Sequence, residues 1–328
     1  MTIKVKRSIA LALVVVMLTA VGGILAACGD QQEDPQQNEG TEMKVQKDLK
    51  FGFVEWPGVT QKTYILKEIL DNLGYNVEAT TFTVPILIQG LSTGDVDVFA
   101  GGWMVTMAPM LDKHLESGAI EDLGTNIAEC DYGPAVPSYV WEAGVHSIGD
   151  LDKFADKFDR EYYGIEPGND GNEVMMRAVE NDTYGLGDWT VLESSTSAML
   201  TEVKKAQEAG DWIVHSAWAP HWMNVELDMK YLEDPEKIWG ENERVDTLAR
   251  KGLSEDDPNI TKFLSQFKVE SDTQSAWIME YDKEGREPQA VAEEWVANNL
   301  DTVNPWLEGV KTVDGEDAQT ALKEAYSG

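Results

Sequence analysis

Beyond its first fifty residues, the sequence alternates between short apolar runs and longer amphipathic runs, and this limits the folds open to the chain. Residues 50–56 and 75–82 have the composition of strands, and residues 59–73 between them have the periodicity of a helix. A short helix beginning at Pro85 and a strand at 95–99 continue the pattern. Strands that alternate with helices predict a parallel or mixed sheet covered by helices on both faces.

The same alternation restarts near residue 131. The later elements predicted are strands at 138–141, 162–166 and 211–218, helices at 148–158, 170–180 and 195–209, and a mostly helical segment from residue 254. The sequence therefore predicts an α/β protein with two lobes in succession and a helical tail.

The N-terminus has the pattern of an export signal. Three basic residues precede an uncharged apolar run at 9–27, which ends in small residues directly before Cys28. The position of Cys28 resembles the lipobox of bacterial lipoproteins, which implies a signal peptide at 1–27 and a lipid on Cys28. An uncleaved transmembrane anchor is the alternative, because the run is just long enough to span a bilayer. Residues 28–48 are nearly devoid of apolar side chains and predict a disordered tether. Both alternatives place the rest of the chain outside the cytoplasmic membrane and close to it.

The charge of the chain excludes some partners. The formal net charge is −33, from 59 acidic and 26 basic residues, so nucleic acid and anionic headgroups would be repelled. The acids are dispersed rather than gathered in one tail, which predicts a solvated acidic surface and suggests a host that lives in high salt. Apart from Cys28 the chain has only Cys130, so no internal disulfide forms and the fold depends on its core.

Aromatic residues recur where predicted strands end. Trp56 follows the first strand, Trp103 follows the third and Trp218 ends the strand at 211–218, while Tyr132 lies at the expected crossing between lobes. In open α/β sheets the ligand crevice lies outside the carboxyl ends of the strands. Four aromatic faces in one cleft would bind a quaternary ammonium group by cation–π attraction, although tryptophans also serve as core or lobe-contact residues.

Five runs of sequence carry a family resemblance: Val54-Glu55-Trp56, Gly102-Trp103-Met104, Tyr163-Gly164-Ile165-Glu166-Pro167-Gly168-Asn169-Asp170-Gly171-Asn172, Glu193-Ser194-Ser195 and Trp218-Ala219-Pro220-His221-Trp222. They resemble the substrate-binding proteins of glycine betaine/choline ABC transporters, and the resemblance extends over about residues 49–310. It implies a two-lobe periplasmic-binding-protein fold of type II, with a hinge and an interlobe ligand cleft. Lobe 1 is expected at 49–128, lobe 2 at 129–233, and the return to lobe 1 with the C-terminal helices at 234–328.

The resemblance also implies a function. Trp56, Trp103, Tyr132 and Trp218 would form the cage around a quaternary ammonium ligand. The chain would be a transport receptor and not an enzyme, with no cofactor and no metal. An ABC permease and its ATPase would be its partners, and the lipid on Cys28 would hold it at the membrane.

The anionic end of the ligand distinguishes members of this family. Betaine-specific members hold the carboxylate on backbone N–H groups after the first Trp, which here would be those of Gly58 and Val59 at a helix N-terminus. Choline-specific members carry an Asp two residues after that Trp, where this chain has Gly58, which is also a plausible turn glycine after Pro57. Asn169 is the family position for a polar side-chain contact. Glycine betaine or a related osmolyte is therefore the predicted ligand, and choline, trimethylamine N-oxide and carnitine are the alternatives.

One competing motif points to a different class of protein. Residues 90–94 match the G-x-S-x-G pattern of serine hydrolases, with Ser92 as the nucleophile, but here the pattern leads from a helix to a strand rather than from a strand to a helix. The chain has four histidines in no metal-ligand spacing and no Walker-type loop, so a partner would hydrolyse ATP.

Overall fold

A computed structural model describes residues 45–327, and over those residues the chain forms one mixed sheet of nine strands. The strands are β1 (Asp48–Phe53), β2 (Asn76–Thr81), β3 (Val98–Trp103), β4 (Ile120–Pro137), β5 (Glu161–Tyr163), β6 (Thr190–Leu192), β7 (His215–Ala219), β8 (Met229–Tyr231) and β9 (Glu243–Arg250). Their order across the sheet is β2-β1-β3-β9-β4-β7-β5-β6, and β8 pairs with β4. The predicted α/β class with a mixed sheet is confirmed.

Helices cover this sheet. The α-helices are α1 (Pro57–Asn72), α2 (Val84–Thr93), α3 (Ala108–Glu116), α4 (Ser138–Glu142), α5 (Asp170–Glu180), α6 (Thr196–Ala209), α7 (Met223–Glu226), α8 (Leu253–Asp256), α9 (Pro258–Gln266), α10 (Ser271–Ile278), α11 (Pro288–Asn298), α12 (Leu300–Val303) and α13 (Ala318–Ala325). Short 3-10 segments occupy Ile148–Asp150, Asp152–Lys157, Thr183–Gly185 and Asn304–Leu307, and a π-helical turn at Met279–Lys283 continues α10. No helix within residues 45–327 combines the length and the apolar character needed to cross a bilayer.

The sheet has two parallel parts joined by antiparallel strands. β1 pairs in parallel with β2 and β3 through crossovers that contain α1 and α2, and β5 pairs in parallel with β6 and β7. β4 joins the two parts, because its residues up to Cys130 pair with β9 and its residues from Asp131 pair with β7. The predicted lobe boundary at 128/129 falls close to this change of partner; the division into lobes itself stays a prediction.

Local predictions differ from the structure in several places. The helix predicted at 148–158 is instead two short 3-10 segments, at Ile148–Asp150 and Asp152–Lys157. Residues 138–141 form helix α4 and not a strand, and the strands β4 and β9 were not predicted. β4 contains four acidic residues, two glycines and two prolines, which lower strand propensity, and its pairing with β9 is interrupted by register shifts. Long-range pairing therefore determines this strand. The predicted signal and residues 28–44 of the predicted tether lie outside the described residues. Of the remaining tether residues, Val45 packs against the core, the N–H of Gln46 donates to Asp257 Oδ2 at 2.9 Å, and Asp48 is the first residue of β1.

Candidate ligand-binding site

The four aromatic residues at strand ends converge on one cavity. Trp56 precedes α1, Trp103 is the last residue of β3, and Tyr132 and Trp218 are direct partners in the β4–β7 ladder. The ring centroids of Trp103 and Tyr132 are 5.1 Å apart, and those of Tyr132 and Trp218 are 6.3 Å apart. Each tryptophan is at most 6% exposed. The space between these residues amounts to about 410 Å³ when its opening to solvent is included, and the centre of a water molecule can occupy about 20 Å³ of it.

The first turn of α1 forms a second wall of this cavity. Pro57 takes the N1 position, which suits its fixed φ and its missing N–H, so Gly58 and Val59 stand at N2 and N3. N–H groups at these positions have no intrahelical acceptor, and the helix dipole adds partial positive charge there. Both residues line the cavity, and α1 is 16 residues long. This wall can bind an anionic group.

A hydrogen-bonded loop before α5 forms the third wall. Asn169 is the N-cap of α5 and its Oδ1 accepts from the N–H of Asn172 at 3.0 Å and from the Tyr132 hydroxyl at 3.0 Å. The amide nitrogen of Asn169 donates to Asp170 at 3.0 Å. Gly171 is required here, because a Cβ at this position would lie 2.3 Å from the Tyr132 hydroxyl oxygen. The loop thus fixes the orientation of the Tyr132 ring.

All seven predicted ligand-binding residues line this cavity, and their role in binding stays a prediction. Sequence reasoning missed five further lining residues, namely Lys62, Ile165, Asp170, Val245 and Gln274. The sequence could have indicated two of these residues. Lys62 lies one helical turn after Gly58, and Asp170 follows Asn169 directly. Val245 and Gln274 come from distant segments and carry no local signal. Trp239, outside the cavity, packs edge-on against Tyr132 at 5.0 Å.

The cavity holds one basic and one acidic side chain away from water. Lys62 is 1% exposed, its Nζ donates to Asn126 Oδ1 at 2.5 Å, and burial lowers its pKa to about 7. Asp170 is also 1% exposed, and burial raises its pKa to about 7. Its Oδ2 has no hydrogen-bond partner among the described residues. A ligand that brings the opposite charge close to each group would offset the energetic cost of burying its charged form.

Ser92 of the competing hydrolase motif is not among the residues that line this cavity. Ser92 lies at the end of α2, and its exposed hydroxyl donates to the carbonyl oxygen of Gln89 at 2.9 Å. This helical position differs from the strand-to-helix turn of a nucleophile elbow. Within the described part of the chain, no three His, Cys, Asp or Glu side chains are grouped to bind a metal.

The chain is similar to proteins of known function. Residues 47–298 match the family model OpuAC, the substrate binding domain of ABC-type glycine betaine transport systems. The glycine betaine/carnitine transport binding protein GbuC of Listeria monocytogenes is 36% identical over 154 residues, which are 46% of this chain and 51% of GbuC.

Solved structures agree with this match. An ABC-transporter choline binding protein in complex with choline has 32% identity and a TM-score of 0.84, over 86% of this chain and 98% of that protein. Lactococcal OpuAC, in a closed-liganded conformation with glycine betaine, has 27% identity and a TM-score of 0.73, over 80% of this chain and 99% of that protein.

The buried amine of Lys62 generates a prediction about stability and pH. Its pKa is about 7 in the folded protein and about 10.4 in an unfolded chain, so the unfolded state binds more protons between these values. This group therefore makes the free energy of unfolding rise with pH over that window, by up to about 1.4 kcal/mol per pH unit. In Lys62→Met that contribution should disappear, as measured by urea unfolding of the ligand-free protein from pH 7 to 9.5.

A matched control is Lys67→Met. Lys67 lies on the same helix and its side chain is 24% exposed, with an ion pair to Asp71. This variant should keep the wild-type slope. Equal slopes for Lys62→Met and wild type would contradict the burial argument.

Proposed function

Because this chain belongs to the family of substrate-binding domains of ABC-type glycine betaine transport systems, we propose that it captures glycine betaine or a closely related zwitterion for an ABC importer. The observation that carries the proposal is the cavity, which combines aromatic faces with the N-terminus of a long helix. The family consists of extracytoplasmic transport receptors and not of enzymes. The permease and its ATPase would complete the importer.

The aromatic wall suits the cationic end of such a ligand. A trimethylammonium group cannot donate a hydrogen bond from nitrogen, so it is recognised by ring faces and by nearby negative charge. Each desolvated cation–π contact is worth about 2 kcal/mol. The unpaired Oδ2 of Asp170, at the wall that holds Tyr132, would add attraction for the same end.

The first turn of α1 suits the anionic end. A carboxylate accepts hydrogen bonds from the N–H groups of Gly58 and Val59 without a counter-charge, and the dipole of α1 adds to this. The buried amine of Lys62 lies one turn along the same helix and would take up a proton more readily beside a carboxylate. A zwitterion therefore satisfies both ends of the cavity.

Choline is the second candidate, because the choline binding protein is similar to this chain over nearly its whole length. Choline would place a hydroxyl at the α1 end, and a hydroxyl proton needs an acceptor. Choline-specific members supply an Asp two residues after the first Trp, where this chain has Gly58. The α1 end therefore favours a carboxylate over an alcohol.

Attachment to the membrane forms part of the proposal. The small residues before Cys28 support lipidation of that cysteine, and the polar residues that follow it support a tether. Metabolic labelling with a fatty acid should mark the wild type and not Cys28→Ser. Equal labelling of the two would contradict a lipid on this residue.

Calorimetry with glycine betaine, proline betaine, carnitine, trimethylamine N-oxide and choline tests the function. We expect glycine betaine to bind at least tenfold more tightly than choline, a difference of about 1.4 kcal/mol. No binding to any of the five would contradict the proposed function. Tighter binding of choline would contradict the role of the α1 end and leave the cage intact.

The cage is tested by substitution. Trp56→Ala, Trp103→Ala and Trp218→Ala should each weaken betaine binding about thirtyfold, or by about 2 kcal/mol, because each removes one ring face. The corresponding Phe variants should lose less affinity, since a smaller aromatic ring face remains. Trp277→Phe is the control, because Trp277 is buried against Trp295 at 4.8 Å outside the cavity. This substitution should lower stability and leave the affinity for betaine unchanged. A loss of affinity as large as that of Trp218→Ala would show that the ligand does not bind in this cavity.

A further inference from the structure

Gln274 contributes a buried amide to the cavity from a distant part of the chain. It lies on α10, it is 4% exposed, and it lines the cavity together with Gly58 and Val59. Its Oε1 has no hydrogen-bond partner within residues 45–327. A buried amide oxygen without a partner is costly, and most such groups in folded proteins are satisfied. The oxygen therefore does not tie the Gln274 amide to another described group, and the Nε2 of the same amide, which lies beside Gly58, is the atom that can donate to a ligand.

The contact between Gln274 and Gly58 aims this amide at the α1 end of the cavity. A Cβ added at residue 58 would lie 2.6 Å from Gln274 Nε2 and 3.1 Å from its Cδ. Such a Cβ would also lie 3.2 Å from Ile278 Cδ1, so the space around the amide is closely packed. Gly58 is thus the residue that lets the glutamine amide reach the first turn of α1. The amide occupies the volume that a side chain at residue 58 would need.

We propose that Gln274 is a specificity-determining residue, whose side-chain amide donates to the anionic end of the ligand alongside the N–H groups of Gly58 and Val59. This inference rests on the proposed function and deepens it, because it specifies a carboxylate as the group that the α1 end selects.

A carboxylate fits this set of donors better than an alcohol does. Two carboxylate oxygens offer about four acceptor sites, so they can take the two backbone N–H groups and the amide nitrogen together. Hydrogen bonds to an ionised acceptor are also about twice as strong as neutral ones. A hydroxyl group offers fewer acceptor sites and no charge. Removing the amide should therefore lower the affinity for a betaine more than the affinity for choline.

The experiment compares two ligands in two variants. Gln274→Met keeps the length of the side chain and removes its hydrogen bonds, and Gln274→Glu keeps the shape and adds negative charge. We expect Gln274→Met to raise the Kd for glycine betaine about tenfold and the Kd for choline less than threefold. Gln274→Glu should raise the Kd for glycine betaine further, because its negative charge repels the ligand carboxylate. The same variant should bind choline at least as tightly as wild type, because the introduced carboxylate accepts a hydrogen bond from the choline hydroxyl. Titration calorimetry with both ligands measures the ratio of the two Kd values.

Gln61→Met is the matched control. Gln61 is a buried glutamine on α1 whose Oε1 is also unpartnered in the described part of the chain, but it lies outside the cavity and its Nε2 donates to Pro288 O at 3.0 Å. Its substitution should lower stability and leave the ratio of the two Kd values unchanged.

The outcomes separate this inference from the proposed function. If wild type binds glycine betaine and Gln274→Met weakens both ligands equally or neither, Gln274 has only a structural role and the inference is wrong while the function stands. If Gln274→Met does not fold, the nearly isosteric Gln274→Glu decides alone, and an unchanged Kd ratio overturns the inference. A wild type that binds no quaternary ammonium ligand overturns the proposed function.

Discussion

The cavity depends on the pairing of one long strand with two partners. β4 runs for 18 residues, and it pairs with β9 up to Cys130 and with β7 from Asp131 onwards. The second pairing puts Tyr132 directly opposite Trp218, while on the other side β9 aligns Val245 with Trp103. Residues that are far apart in the chain, such as Tyr132 and Trp218, are therefore brought together by strand register. A slip of one residue would turn these side chains to the other face of the sheet.

The walls of the cavity carry polar groups that the protein alone leaves incompletely satisfied. Lys62 and Asp170 are withdrawn from water, and Asp170 Oδ2 and Gln274 Oε1 have no partner within the described residues. These groups lower the stability of the ligand-free protein, because a buried polar atom without a partner costs about 1–3 kcal/mol. A ligand that brings a negative charge near Lys62 and a positive charge near Asp170 would recover part of this cost as affinity. Binding would also stabilise the fold in proportion to the logarithm of ligand concentration.

The sequence predicted the α/β class, the family and the residues at the cavity because these depend on local patterns. Trp56 and Trp103 follow strands with strong local signals, and Asn169 lies in a long motif. The strands β4 and β9 escaped prediction because their residues favour turns or charged surfaces, and only pairing with each other makes them extended. Gln274 escaped for a related reason. Its contact with Gly58 joins two segments more than two hundred residues apart, and no periodicity or spacing encodes such a contact.

The segment that carries Gln274 is also held against the segment that carries Trp218. The π-helical turn after α10 contains Asp282, which accepts a hydrogen bond from Trp222 Nε1 at 2.6 Å, and Lys283, which forms an ion pair with Glu226. Trp222 lies four residues after Trp218, beyond the end of β7, and the His221 ring packs against both indole rings, so these contacts lie close to the cage. π-Helical turns often mark functional positions, because the extra residue displaces a side chain from regular helical register. Here one short segment, residues 271–283, provides both the Gln274 amide in the cavity and the contacts to Trp222 and Glu226. Under the proposed function, these contacts would help to fix the distance between the parts of the cavity that take the carboxylate and the ammonium group, and so would select a zwitterion by its length.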